Sequence, residues 1–401
     1  QFNYAPSPRH WVDEREVLVR IARVPARVAK SWLAVHAADA EAGTPVAEAA
    51  RVDLLLALAA WVAGELFARA AGEPDESGVW KQGRALPHIE PTRAALRLRF
   101  SRLHEALQAI GLTTKKALAE FPKWAGQNLD ARLDDVELDD LAATLKAPRF
   151  APALLAVLDK WMDRRSPRWL MGWRDICRST DERTVIASVL PRVAVGHKLP
   201  LFHLPAEVPA SLAASLMANL DSLVLDFIAR QKVGGTSLTY HYIKQFAVLP
   251  PSCYTTAALD FIVPRVLELT YAAHDLQSWA EDLGYRGPPF AWNPERRAVL
   301  RAELDAYYAR LYGLTRDELC YILDPASVMG ADYPSETFRV LKEGEIRAYG
   351  EYRTQRLMGY AYLLTHDGVN EKTGEPSGLT KQAKQRLEAI RATAPEIVDI
   401  R

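Results

Sequence analysis

The charged residues best placed to contact a ligand lie immediately before an apolar segment near the middle of the chain. The stretch from Arg178 to Val193 reads RSTDERTVIASVLPRV, so four charged side chains precede a run of mostly aliphatic residues. Two interpretations are open. Ser179 and Glu182 have the spacing of a helix capping box, which needs no ligand. Alternatively, the segment is the polar edge of a binding site.

The number of arginines favours a binding site. Arg174, Arg178 and Arg183 together exceed what a helix cap requires. Guanidinium groups pair with phosphates and with guanine edges, and carboxylates accept hydrogen bonds from the cytosine amino group. These residue types therefore indicate contacts to nucleic acid.

A second polar segment, ARQKVGGTS from Ala229 to Ser237, has the composition of a phosphate-contacting turn. Arg230 and Lys232 lie beside Gly234, Gly235 and Thr236. Glycines let a backbone N–H approach a phosphate closely, and the hydroxyl and the cations supply further contacts. A Gly-Gly pair alone is weak support, since most such pairs are ordinary turns.

Charge is distributed unevenly. The whole chain carries 50 Lys and Arg against 50 Asp and Glu, so its global charge neither favours nor excludes nucleic acid. Residues 166–254 carry nine basic and six acidic side chains, an excess of three positive charges. This excess indicates a local cationic surface in an otherwise neutral protein, although a solvated loop surface would have a similar composition.

The motifs of several common enzyme and metal-site classes are missing from the sequence. It contains no Walker loop, no H-E-x-x-H, no G-x-S-x-G and no Gly-x-Gly turn after a strand. Cys177, Cys253 and Cys320 are widely spaced and lack zinc-ligand spacing, which predicts a reducing, cytoplasmic location. The apolar stretch from Asp53 to Ala71 contains Glu65 and Arg69, which predicts a buried helix rather than a membrane span.

Changes in local residue composition along the chain predict an α+β fold. Residues 1–165 are expected to be mainly helical, 166–257 a small β-rich core, 258–364 helical again and 365–401 a tail. The segments TVIASVLP and SLVLDFIARQKV belong to the part expected to be mostly β or mixed. In the third region, two helices are predicted on either side of Gly313, with a capping box from Thr315 to Glu318 at the start of the second.

Several blocks of the second half follow one another in a recognisable order, among them WRDICRSTDERTVIASVLPRVAVGHKLPL, LDFIARQKVGGTSLTYHYIKQFAVLPP and YGEYRTQRLM. Together they resemble the C-terminal half of large adenine-specific DNA methyltransferases, and the likeness covers roughly residues 169–358. The family includes single-chain restriction-modification enzymes of types IIG and IIL and the adenine methylase of the DISARM phage-defence system. In such proteins an N-terminal domain methylates adenine N6 with S-adenosylmethionine, and the C-terminal half reads the DNA site.

The resemblance implies a DNA-binding, target-recognition portion whose partner is double-stranded DNA. It implies S-adenosylmethionine for the parent protein and no cofactor in this chain, whose own enzymatic activity stays open. The residues expected to face DNA are Arg174, Arg178, Thr180, Arg183, Arg230, Lys232, Gly234, Gly235, Thr236 and Lys244. Besides DNA, the partners expected are other defence-system subunits or a catalytic methyltransferase domain. The alternative is a non-catalytic assembly module whose helices, in Asp13–Lys160 and Asp305–Asp324, dock other defence-system subunits.

The chain departs from the family's catalytic pattern. Gly287-Pro-Pro-Phe290 has the form of the motif that holds the target adenine, but glycine has no side chain to accept the amino group's hydrogen bond. Because the sequence begins at Gln1 with text typical of a protein's interior, we expect it to be a fragment. Two alternatives stay open: the catalytic half lies elsewhere in the parent protein, or this chain is a degenerate, non-catalytic partner.

Overall fold

The computed structural model describes residues 12–39, 45–71, 131–144, 152–333 and 337–366. The described residues fall into two compact units, one formed by those up to residue 167 and the other by those from residue 168 onward. Each unit is described by itself. Parts of the predicted tail 365–401 and of the predicted helical region 1–165 lie outside the described residues, namely 367–401 in the tail and 1–11, 40–44, 72–130 and 145–151 in the helical region.

The described part of the first unit is built from helices. Their bounds are α1 Glu14–Ile21, α2 Ala26–Asp39, α3 Pro45–Ala71, α4 Asp135–Thr144 and α5 Pro152–Arg164. Asp13 caps α1 by accepting a 2.8 Å hydrogen bond from the N–H of Arg15, and Pro25 precedes α2. Trp32, Leu58 and Trp161 lie in the shared core of these helices.

Several polar side chains of this unit form hydrogen bonds and ion pairs with one another. Glu65 is buried and accepts two-pronged hydrogen bonds from the guanidinium group of Arg132. His36 and the Trp32 indole N–H both contact the carboxylate of Asp159, at 2.7 and 2.9 Å. These contacts account for the polar side chains involved without a ligand.

The second unit contains a small antiparallel sheet. Its strands are β1 Trp169–Trp173, β2 Ala187–Pro191 and β3 Leu201–Phe202, in the order β2-β1-β3. β1 pairs with β2 from Trp169↔Pro191 to Trp173↔Ala187. Gly172 is required for the pairing with β3, because a Cβ there would come within 2.5 Å of the Pro200 carbonyl oxygen.

Helices pack around this sheet. They are α6 Ala210–Leu220, α7 Leu223–Arg230, α8 Tyr240–Ile243, α9 Thr256–Thr270, α10 Gln277–Asp282, α11 Pro294–Leu311, α12 Arg316–Leu323, α13 Ala326–Met329, α14 Arg339–Tyr349 and α15 Arg353–His366. Trp173 of β1, Ile262 of α9, Trp279 of α10 and Tyr308 of α11 belong to one buried cluster. The boundary that the sequence suggested after residue 257 therefore does not separate two cores.

The prediction of an α+β fold is confirmed at this level, but the sheet is smaller than expected. The segment SLVLDFIARQKV, expected in β or mixed structure, forms the helix α7. Ser222 caps it by accepting a hydrogen bond from the N–H of Leu225. Buried Leu223, Val224 and Leu225 at its start pack against core residues on both sides, so β-branched and aliphatic composition here reflects burial rather than strand pairing.

The local helix signals in the third predicted region are confirmed. α11 ends at Leu311, and Gly313 adopts a positive φ of 71°, which favours glycine. Thr315 and Glu318 form both hydrogen bonds of the capping box at the start of α12.

Among the described helices, none is by itself both long and apolar enough to cross a membrane; α6 and α7 meet the length and composition criteria only as a pair bent by 55°.

Candidate nucleic-acid interface

The connection between β1 and β2 carries the first polar segment, and it lies beside the second one. The N–H of Cys177 donates to the Thr236 carbonyl at 3.1 Å, and the N–H of Leu238 donates to the Asp175 carbonyl at 2.6 Å. Between them, Ile176 and Ser237 form an isolated antiparallel bridge. The two segments singled out in the sequence, although about fifty residues apart, thus form one continuous edge of the second unit.

A buried ion pair holds this connection from inside. The carboxylate of Asp226 is fully buried and accepts hydrogen bonds from the N–H groups of Thr184 and Val185 and from Nε of Arg230, at 2.7 to 3.0 Å. Asp226 and Arg230 stand one helical turn apart on α7, the spacing at which opposite charges meet on a helix.

The guanidinium group of Arg230 donates hydrogen bonds to four backbone carbonyl groups. It donates to the carbonyl oxygens of Ser179, Asp181, Glu182 and Thr337, at 2.7 to 3.0 Å. Its Cζ also lies 4.6 Å from the ring centroid of Phe338. The residue therefore fixes the path of the 179–182 backbone against the segment before α14.

A second ionic contact anchors the end of the connection. Arg183 donates to the Asp221 carbonyl at 2.7 Å, and its Nη2 lies 3.4 Å from the carboxylate of Asp305 on α11. The other oxygen of Asp305 accepts from the N–H of Leu223, at the start of α7. One carboxylate thus joins the connection, α7 and α11.

These contacts correct the prediction for two site residues. The side chains of Arg183 and Arg230 are only 20% and 4% exposed, and carbonyl and carboxylate oxygens occupy their donors. They support the connection from within rather than face DNA. The capping-box interpretation of Ser179 and Glu182 is also wrong, since no helix begins between β1 and β2.

The remaining predicted site residues lie wholly or partly at the surface. Arg174 is half-buried, donates to the Arg183 carbonyl and lies 3.6 Å from the carboxylate of Asp181. The exposed members are Arg178, Thr180, Lys232, Gly234, Gly235, Thr236 and Lys244. Within the part of the chain that the structure describes, the three cations among these exposed residues form no ion pair.

The Gly-Gly turn leaves its backbone accessible. Neither Gly234 nor Gly235 has a positive φ, and a Cβ at either position would meet nothing within 4 Å. The fold therefore does not require glycine here, and the space above the turn is open. A bare backbone with exposed Lys232 and Thr236 beside it suits close approach of an anion.

The acids that hold the connection were missed by sequence reasoning. The Asp226–Arg230 spacing on α7 was an available local signal, because one turn of an apolar helix separates two opposite charges. Asp305 gave no comparable signal, since its partner Arg183 is 122 residues away. No group of three or more His, Cys, Asp or Glu side chains within the described ranges is arranged to hold a metal ion.

Asp221, whose carbonyl accepts a hydrogen bond from Arg183, has a side-chain carboxyl with a raised pKa. Burial raises the pKa of its carboxyl to about 7, although the N–H of Ala187 and the charge of Arg183 act in the opposite direction. Burial also raises the pKa of Asp305. The proton on Asp221 is therefore bound more tightly in the folded protein than in the unfolded chain, so its contribution to stability is lost as pH rises through about 7.

We expect Asp221→Asn to reduce the loss of stability with rising pH. Asparagine keeps the oxygen that accepts the Ala187 N–H but cannot ionise. The free energy of unfolding, measured by urea denaturation between about pH 5 and pH 8, should fall more for the native protein than for the variant. Asp260→Asn, at an exposed position, is the matched control. Parallel pH profiles for native protein and Asp221→Asn would contradict this assignment.

Comparison of the chain with models of protein families, with curated proteins and with solved structures found no match.

Proposed function

We propose that this chain binds double-stranded DNA along the edge formed by residues 174–183 and 232–236, as the target-recognition portion of an adenine-N6 DNA methyltransferase. The observation that carries the proposal is the backbone pairing of these two segments, which brings the connection that contains exposed Arg178 next to the open glycine turn between exposed Lys232 and Thr236. The sequence resemblance supplies the methyltransferase context.

The chemistry of this edge suits contacts to the phosphate backbone. Cations without a carboxylate partner keep their charge available for phosphate, and hydroxyl and backbone N–H groups add directional hydrogen bonds. The protein as a whole is neutral, so attraction to DNA would come from this edge rather than from net charge. Such contacts position the duplex on the protein. They do not determine which base sequence is recognised.

The edge is also held rigidly by buried side chains. Arg230 fixes three carbonyl oxygens of the 179–182 backbone, and Asp226 fixes the N–H groups that follow. A segment held in this way loses little conformational freedom when it binds, which favours affinity. The buried arginine therefore contributes to binding indirectly, by holding exposed Arg178 and Thr180 in place.

Removal of the exposed cations is expected to weaken DNA binding and its salt dependence. Arg178→Ala and Lys232→Ala should each reduce affinity for a duplex and lower the slope of log affinity against log salt by about 1, the contribution of one phosphate contact. Fluorescence anisotropy of a labelled duplex at several salt concentrations measures both quantities.

Arg286→Ala is the matched control for these variants, because Arg286 is exposed and forms no ion pair among the described residues. Its affinity and salt slope should equal those of the native protein. Native affinity that does not change with salt, or equal losses in all three variants, would overturn the proposed surface.

A further inference from the structure

Two cavities adjoin in the second unit, away from the Gly-Gly turn. Their volumes are about 230 and about 320 Å³, and both are lined by Arg183, Arg297, Arg301 and Asp305. The smaller cavity lies among α11, α14 and α15, and the larger one among β2, α6, α9 and α11. The shared side chains place a charged junction between the two spaces.

Two of the arginines around these cavities form ion pairs with acids. Arg183 is bound to Asp305 and to the Asp221 carbonyl, and Arg353 pairs with Glu295. Glu345, an acid of the smaller cavity, accepts from both the N–H and the hydroxyl of Thr354. The charges of Arg183 and Arg353 are therefore balanced by acids, whereas Glu345 is bound only to neutral donors and keeps its negative charge.

Arg297 and Arg301 differ from the others. Within the described ranges neither forms an ion pair: Arg297 donates to the Leu269 carbonyl at 2.9 Å, and Arg301 is exposed. They are one turn apart on α11, where like charges repel. Burial and the charge of Arg301 lower the pKa of Arg297. An anion between the two guanidinium groups would relieve this repulsion.

Two exposed aromatic rings line the smaller cavity. Trp292 is 68% exposed, and the Arg297 guanidinium lies 3.7 Å from its ring centroid. Tyr349 is 54% exposed, with the Arg353 guanidinium 4.8 Å from its ring. An exposed tryptophan beside unpaired arginines provides a stacking surface next to an anion site, the combination that suits a nucleobase joined to a phosphate.

We propose that this junction binds a mononucleotide, with its phosphate between Arg297 and Arg301 and its base against Trp292. The proposal goes beyond duplex binding and rests on different side chains. Guanidinium forks match phosphate oxygens, and the exposed indole supplies a face for the base. Glu182 and Glu345, two acids that also line the smaller cavity, oppose the anion and limit its affinity. The larger cavity, lined by Val185, Met217 and Val266 among others, is more apolar and offers the competing possibility of an acyl chain.

Isothermal titration calorimetry with the full chain tests this site, using adenosine monophosphate, inorganic phosphate and laurate as probes. We expect adenosine monophosphate to bind with a dissociation constant below roughly 1 mM, and Arg301→Gln to weaken it about tenfold. Trp292→Leu should weaken adenosine monophosphate several-fold and inorganic phosphate less, since the base stacks on the indole directly whereas phosphate meets it only through Arg297, which lies against the ring. Arg316→Gln, at an exposed position in the first turn of α12, should have no effect.

The variants change exposed side chains, and equal urea midpoints for variant and native proteins verify that they fold. Absence of adenosine monophosphate binding by the native chain overturns the proposal, as does binding of laurate alone. Loss of affinity in Arg316→Gln equal to that in Arg301→Gln also overturns it. A single-stranded oligonucleotide with a terminal phosphate distinguishes the source of the ligand: strand binding without binding of free nucleotide contradicts a mononucleotide site. Duplex affinity should be the same in Arg301→Gln as in native protein, so this proposal and the duplex surface fail independently.

Discussion

Replacement of Asp226 by alanine is expected to destabilise the second unit by about 3–5 kcal/mol, the range observed when one partner of a buried ion pair is removed. Asp226 has no exposed surface, and its carboxylate is the only anion that contacts the Arg230 guanidinium among the described residues. Its loss leaves a buried positive charge without an anion and two buried N–H groups without an acceptor. Each of these effects is unfavourable in a low-dielectric interior.

Urea denaturation and hydrogen exchange together measure this effect. The free energy of unfolding should fall by the stated amount, and the amide protons of Thr184 and Val185 should exchange faster than in native protein. Arg178→Ala is the control in the same connection, because its side chain is exposed and it should change stability little. Equal stabilities for Asp226→Ala and Arg178→Ala would show that the carboxylate does not hold the connection.

A double-mutant cycle separates the ion pair from the other roles of Arg230. Arg230→Met removes the charge but leaves carbonyl oxygens at Ser179, Asp181 and Glu182 without their donor. Each such loss costs about 1–3 kcal/mol, so this single variant is also expected to be unstable. The double variant carries no unpaired buried charge, and its destabilisation should be smaller than the sum of the two single effects.

The elements of the fold that follow from local sequence were predictable. Thr315 and Glu318 are three residues apart and form their capping box within one turn, and Gly313 breaks the chain between two helices. These features depend on neighbours in the sequence, which a single sequence contains in full. The helix α7 was harder to predict, because eight apolar-rich residues suit either a short helix or a buried strand and only the surrounding core decides between them.

The candidate interface was predictable in part for the same reason. Composition marked the segments 174–183 and 230–236 separately as candidates, the resemblance implied that both face DNA, and the structure brings them into backbone contact. Composition could not tell which cations face outward. Arg178 and Arg183 are alike in the sequence, but Arg183 meets Asp305 across 122 residues whereas Arg178 meets no acid in the described part of the chain. Burial of a charge depends on a distant partner, and one sequence does not reveal it.

Replacement of Trp173 by alanine is expected to cost about 3–5 kcal/mol, as for other large aromatic side chains removed from a core. Trp173 ends β1, is fully buried and packs against Phe202 and Tyr240, with ring centroids 4.6 and 4.8 Å away. Its indole N–H also donates to the Leu238 carbonyl at 2.6 Å. It therefore joins the sheet to the segment that pairs with residues 175–177.

Two further variants test this assignment. Trp173→Phe keeps most of the ring and should cost less, about 1–3 kcal/mol, chiefly because the buried Leu238 carbonyl loses its donor. Trp292→Ala removes the same side chain from a position that is 68% exposed, so its effect on the urea midpoint should be small. The chain contains 10 tryptophans, and the sequence does not rank them. Similar losses for Trp173→Ala and Trp292→Ala would mean that burial at the end of β1 does not set the stability of this unit.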